Sequence, residues 1–521
     1  MKYLILIGLL VLTLSHGIAS EAPVNTPYEK SGITASTTLI DILVNAQLKR
    51  EGVQQANLCS DEVFIRRVYI DVIGTLPTSE EVVSFLKDSR ADKRSILIDQ
   101  LLNRKEYAEY WSMKWCDLLR VKAEFPINLW PNAVQTYHRW IRDSLRNNKH
   151  YDVFVREMLT SSGSNFRVPP VNFYRAIQSH DSTAIAAAVA LAFMGTRYEK
   201  MPAAQQSEMA SFFTRVGYKG TAEWKEEIVY YDLSSASVIQ ARYPDGTKVK
   251  ILPEQDPRKV FADWLITPNN PWFSKNIVNR IWYWLMGRGI IHDPDDIRKD
   301  NPPVNPALLS YLEKEFVKSN YDLKHIYRII LNSRTYQASS IPKTQSTKSE
   351  KLFGNYGVRR LEAEVLVDAL NTIGGTGEGY SSPVPEPFTN TPPYQRTISL
   401  SDGSITSQFL EMFGRPPRDS GFESERNNDS SDSQRLYLLN SNEIQRKIEQ
   451  SPPLRKLFNT YKNNNQELIR MIYLTLLSRY PTDSELKTVL AYYKTKGLSQ
   501  KQATDDLVWV LINSKEFLYR H

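Results

Sequence analysis

Cysteine is nearly missing from this chain: 521 residues contain only Cys59 and Cys116. Two thiols cannot build a structural zinc site, and no C-x-x-C-H segment offers covalent attachment to haem. In an oxidising compartment the two could form one disulfide, Cys59 to Cys116. Two buried free thiols is the other reading, and the sequence leaves both standing. Histidine is scarce as well. His138, His150, His180, His292, His325 and His521 follow His16, and none pair at the H-x-x-x-H spacing of a metal site. A G-x-S-x-G elbow, a phosphate-binding P-loop and a G-x-G-x-x-G turn are all absent, so hydrolase, kinase and dehydrogenase readings lack their motifs. A triad assembled from distant residues stays open, because such triads are defined by geometry. No run beyond the N-terminus is apolar enough to span a bilayer.

Strong charge of one sign is missing too. Lys and Arg number 65 against 58 Asp and Glu, a net +7. That excess is too thinly spread to mark a nucleic-acid surface, so no nucleic-acid partner is expected. Hydrophobic content of 41% and charged content of 24% are those of a water-soluble globular chain, long enough for two or three domains.

What is present begins at the N-terminus. Lys2 precedes a dozen apolar residues from Tyr3 to Leu14, and His16-Gly-Ile-Ala-Ser20 supplies small residues for cleavage. This is the pattern of a signal peptide over 1–20, so the protein is expected to be exported, to a periplasm or to the extracellular space and cell surface, with no membrane span. Residues 21–35 read as a flexible leader.

Helical patterns dominate thereafter. Thr78 and Glu81 form a capping box, and Tyr107, Tyr110, Trp111, Trp115 and Leu118 make an aromatic stripe that reads as a core face. Extended segments around Ile228–Tyr231 and Ser237–Leu252, with the turn Tyr243-Pro-Asp-Gly246, read as a small β-hairpin insert. The expected fold is mainly α. It comprises an N-terminal helical domain over 36–220, the insert over 221–255, and a C-terminal helical domain over 256–521 with loops near 374–397 and 415–433. Val68–Glu81 is echoed at Ile472–Glu485, which suggests duplicated helix–turn–helix modules.

Chemistry concentrates in two Arg-rich segments. Arg280, Trp284 and Arg288 share a helical face, where Arg and Trp together suit a sugar or a carboxylate. Phe413-Gly-Arg-Pro-Pro-Arg418, with Glu423, Glu425 and Arg426 following, is a stiff turn full of paired charge. The candidate binding residues are therefore Arg280, Trp284, Arg288, Arg415, Arg418, Glu425 and Arg426, with structural Arg–Glu pairing as the competing explanation. His292-Asp-Pro-Asp-Asp296, with Asp300 nearby, could hold a hard cation but reads better as a solvated acidic loop, and no metal is expected.

These segments carry a resemblance. The chain resembles secreted planctomycete-type proteins bearing the paired domains of unknown function fifteen-forty-nine and fifteen-fifty-three, often beside a cytochrome c-like domain. The likeness to the first domain is carried by Phe64–Thr78, Asp92-Lys-Arg94 and Tyr110–Leu119. The second is marked by Ala262–Pro271, Val278–Trp282 with Gly287-Arg-Gly289, Arg359–Glu364 and Phe413–Pro416. Two departures matter. Where relatives carry C-x-x-C-H this chain has Thr196–Ala204, and where they carry Cys-x-Cys-Glu-Arg it has Phe422-Glu-Ser-Glu-Arg426. The resemblance thus implies a fold and a compartment, while the missing donors imply no haem or soft-metal cofactor. The sequence points to a non-catalytic binding or scaffolding module at the cell surface or in polysaccharide use, with a glycan or another exported protein as partner. The alternative is an enzyme of unrecognised mechanism with Arg280, Arg288, Arg415 and Glu425 around one pocket.

Overall fold

Several helix starts in this chain are set by short polar side chains. Thr78 Oγ1 accepts from the Glu81 N–H, and the Glu81 carboxylate accepts from the Thr78 N–H, at the head of the helix Ser79–Lys87. Thr482 and Glu485 repeat the device ahead of Asp483–Tyr492. Each box satisfies donors that the first helical turn leaves open. The preceding helices, Asp61–Ile73 and Asn465–Leu477, both stop on a left-handed residue, Gly74 and Ser478. The echo seen in the sequence is thus an echo of local geometry. Asn465–Leu477 also packs against Ser79–Lys87, so the two copies are neighbours.

The computed structural model describes residues 27–30, 38–234, 237–385, 391–392 and 394–521. The signal peptide expected over 1–20, and all of the leader except 27–30, lie outside the described residues. The fold is mainly α, and among the described residues the sheets are small and antiparallel. Four helices surround the site: α1 (Asp61–Ile73), α2 (Lys105–Leu118), α3 (Phe273–Met286) and α4 (Ala363–Gly374). Among the described residues no helix is long and apolar enough to cross a membrane.

The strands refine the expected insert. β1 (Glu29–Lys30) pairs with β2 (Leu58–Cys59), and β3 (Gly163–Ser164), β4 (Val216–Gly220) and β5 (Glu227–Tyr231) form a sheet in the order β3–β5–β4. β6 (Ile239–Arg242) and β7 (Lys248–Ile251) make the expected hairpin, around the Tyr243–Gly246 turn. β5 pairs backwards onto the first helical half, because its neighbours β3 and β4 precede residue 221. A last pair, β8 (Arg359–Arg360) with β9 (Tyr519–Arg520), joins the second half's interior to its final residues.

The aromatic stripe of α2 is core, as its spacing predicts. Trp111 packs on Trp284 of α3 at 5.4 Å between centroids and on Tyr327 at 4.4 Å, and Trp115 meets Trp284 at 6.1 Å. The first half therefore docks on the second through large rings, and the buried apolar residues of both halves form one contiguous cluster. Cys59 and Cys116 are both buried and both free, so the disulfide reading gives way to that of two separate thiols. They stand on different elements, β2 and α2, and the Cys59 sulfur accepts from Arg94 Nη1 at 4.0 Å. Burial pushes the Cys116 thiol up to about 12. A thiol reagent should therefore find no reactive cysteine in the folded protein and two in denaturant.

At the centre lies Asp71 of α1, its carboxylate fully buried. Its Oδ1 accepts from Arg520 at 2.9 Å and Arg359 at 3.3 Å, and its Oδ2 accepts from the hydroxyls of Tyr336 and Tyr356, both at 2.8 Å. Asp71→Ala would leave two guanidinium groups and two hydroxyls unmatched. It should cost about 3–5 kcal/mol in denaturant unfolding, in line with removing one partner of a buried pair.

Candidate functional site

Charged side chains set into apolar helical faces build the site. On α2, Lys114 and Asp117 follow Tyr110 at intervals of four and three, on the side turned towards the second half. On α4 and just before it, Glu362 and Glu364 are buried. The chain between 415 and 430 returns across these helices and supplies Arg415, Arg418, Glu423 and Arg426. Gly414 permits the return. Its φ is +82°, and a Cβ there would fall 1.8 Å from the carbonyl oxygen of Asn427.

Arg426 clamps the two halves. Its Nη1 donates to Glu364 Oε2 at 2.7 Å, and its Nη2 donates to Asp117 Oδ2 at 2.6 Å and Glu364 Oε1 at 3.0 Å. Burial alone would raise Glu364, but Arg426 and Arg415 hold it well below the usual carboxylate range. Arg418, fully buried, donates to Asp117 Oδ1 at 2.9 Å and to the Ser401 carbonyl at 3.1 Å. Arg415 is spent on the carbonyls of Ile405 and Asp402. Arg280, also fully buried, reaches Asp295 at 2.7 Å and Glu423 at 3.4 Å.

Between this lattice and solvent lies a cavity of about 620 Å³. Its walls include Lys114, Tyr283, Trp284, Arg359, Arg360, Glu362, Glu423 and Arg426, and its rim Ser424 and residues 427–430. Lys114 Nζ donates to Glu362 Oε1 at 2.8 Å, and Glu362 also meets Arg520. Burial, reinforced by the positive charge of Arg426, pushes the Lys114 amine below its ordinary value. Burial pushes Glu423 above its own, with Arg280 and Lys114 opposing the shift and Asp295 adding to it. Glu423 accepts from the Trp284 indole at 3.0 Å, and its own N–H donates to Asp295 at 2.7 Å.

The two Arg-rich segments therefore converge, with Glu423 seated between Arg280 and Trp284. Of the residues singled out from sequence, Trp284 and Arg426 line the cavity, whereas Arg280, Arg415 and Arg418 are turned into the lattice behind it. Glu425 is occupied with the Ser420 N–H at 2.6 Å, and Arg288 lies half-buried beyond α3. None of Arg280, Arg288, Arg415 and Glu425 lines the cavity, so that four-residue pocket is not formed. Sequence reasoning passed over Lys114 and Glu362, and noted Glu423 in the charged turn without counting it among the candidate residues. The available signal was a lysine inside an aromatic stripe.

The acidic run near His292 is paired with basic side chains. Asp293 meets Arg197 at 2.9 Å, Asp295 meets Arg280, and Asp296 meets Lys200 at 3.0 Å. Gly195, at φ +61°, brings the 196–200 segment against this run, where a Cβ would lie 2.6 Å from Asn276 Oδ1. The segments that stand in place of the two cysteine motifs also meet: the Arg197 guanidinium lies over the Phe422 ring at 4.6 Å. The donor chemistry at that junction, a guanidinium and a phenyl ring, does not fit haem iron or a soft metal.

A mainly α protein whose two halves are locked by buried ion pairs around a polar cavity is the class that fold and site define. Residues 39–217 match PSCyt2, a protein of unknown function (DUF1549), and residues 257–493 match PSD1, a protein of unknown function (DUF1553). The chain therefore carries these two domains as a pair. No curated protein and no solved structure matches it.

Behind Arg418 sits His138, 6% exposed, with Nε2 3.5 Å from Ser112 Oγ. Burial, with Arg418 next in effect, pushes this imidazole down to about 3. The unfolded chain binds a proton here below about pH 6.5 while the folded chain does not. Stability should therefore fall as pH drops from about 6.5 towards about 3. His138→Gln, read by urea midpoints at about pH 7 and about pH 5, should lose less over that interval than the unsubstituted chain.

Proposed function

We propose that this is an exported binding module whose ligand enters the cavity between its two halves, acting at the cell surface or in polysaccharide use. The carrying observation is the cavity itself. Its volume is that of a small-molecule site, and its polar walls are immobilised by ion pairs, so it is formed before the ligand arrives. Donors and acceptors stand beside the Trp284 and Tyr283 rings, a combination that suits a sugar-sized polar ligand. A glycan is the favoured partner, and a polar segment of another exported protein is the second.

Ser424 is exposed on the cavity rim. Ser424→Trp should fill the mouth without touching the core, abolishing binding in a panel of soluble glycans while the thermal midpoint stays within about 2 °C. Absence of any glycan or protein ligand for the unsubstituted chain would sink the proposal.

One observation favours a catalytic reading in second place. Lys114, shifted towards the neutral amine, and Glu423, shifted towards the protonated acid, face the same cavity. Opposite shifts of that kind suit a base and an acid at one site. If turnover of a bound glycan is found, Lys114→Met and Glu423→Gln should each lower kcat by about 100-fold or more with little change in KM. Unchanged kcat in both would leave binding as the whole function.

A further inference from the structure

We propose that the cavity between the halves is an oxyanion site, holding the carboxylate, phosphate or sulfate group of a small ligand between Arg359, Arg360 and Lys114. This rests on the binding reading above and adds the charge of the ligand. The geometry is one of unspent donors. Arg360 is 5% exposed; its Nε and Nη2 donate to the carbonyls of Asn428, Asn427 and Phe413, while its buried Nη1 has no acceptor. Arg359 repeats the pattern on the opposite wall. Its Nη2 is shared among Asp71 and the carbonyls of Trp284 and Leu285, and its buried Nη1 has no acceptor. Both guanidinium groups line the same cavity, one along the end of α3 and the other along the 427–430 rim.

Buried polar groups in native proteins are matched, and each of these two arginines on the cavity wall keeps a donor with no protein acceptor. An oxyanion offers several lone pairs at once and suits the fork of an arginine. Lys114 spends a single donor on Glu362 and keeps the rest of its ammonium for the cavity. Asn428 Oδ1 is also unmatched, and its amide can turn to present a donor instead.

The charge balance agrees. The two carboxylates on the inner walls are already engaged, Glu362 by Lys114 and Arg520 and Glu423 by Arg280 and Trp284. Asp429 stands exposed at the rim. Burial and then Arg426 depress the Lys114 amine, with Arg520 adding to them and Glu423 and Asp117 opposing.

The test uses the full chain and variants outside the lattice. Val358 lines the cavity and is 53% exposed, so either charge can be placed there without disturbing the core. Inorganic phosphate, inorganic sulfate, glucuronate and glucose are titrated by calorimetry into the unsubstituted chain and into Val358→Glu, Val358→Lys and Ser424→Trp. At least one anion should bind one-to-one where glucose does not. Val358→Glu should weaken it about tenfold and Val358→Lys tighten it by a similar factor, both effects shrinking with added salt. Ser424→Trp should remove it. Anions binding no tighter than glucose, or the two Val358 variants moving affinity in the same direction, would overturn the oxyanion assignment. A neutral glycan that binds and is blocked by Ser424→Trp would overturn this assignment alone and leave the binding module standing. Ligands indifferent to Ser424→Trp would remove both.

Discussion

A single carboxylate, Asp71, sets the terms for the rest of the molecule. A buried charge is tolerable only when its counter-charges and hydrogen bonds are complete, and Asp71 completes its set from four partners far away in sequence. Arg359, Tyr336 and Tyr356 come from the second half, and Arg520 comes from β9. To satisfy one oxygen pair, the chain must bring α1, the 336–360 region and β9 to the same point. Those constraints place Arg520 beside Glu362 and Arg359 at the end of α3, and so fix the inner walls of the cavity.

Around that centre the charges form a lattice of alternating sign. Asp117 is shared by Arg418 and Arg426, Glu364 by Arg415 and Arg426, and Asp295 by Arg280 and the Glu423 N–H. Such a lattice adds little net stability compared with an apolar core of equal volume. It contributes specificity, because a misdocked half would strand charges out of water. Segments that look like a ligand site in sequence are for the most part this lattice. The cavity is the place where it is left incomplete.

The legibility of the sequence follows from how local each signal is. The capping boxes at Thr78 and Thr482, the aromatic stripe of α2 and the Tyr243–Gly246 turn depend on residues a few positions apart, and all are found where spacing places them. The pairing of β5 with β3 was hidden, since β3 is only two residues long and lies about sixty residues upstream. The site was half visible. Convergence of the Arg280 and Arg415 segments was readable as a question, and Trp284 and Arg426 do reach the cavity. Which guanidinium faces the cavity and which faces the lattice depends on partners far off in the chain, as with Arg418 and Asp117. A lysine on an aromatic stripe was the overlooked local clue, because Lys114 has reason to sit there only if a carboxylate awaits it.

The β8–β9 pair has a consequence for how the chain comes to be folded. Asp71 and Arg520 are 449 residues apart, and Arg359 is 288 residues from Asp71, so long stretches of chain must be made before α1 can complete the set of partners around its buried charge. The first half emerges with an acid that has no counter-ion and an aromatic face that has no cover. Contacts of such long range make folding slow and late, and leave earlier intermediates open to holding factors and proteases.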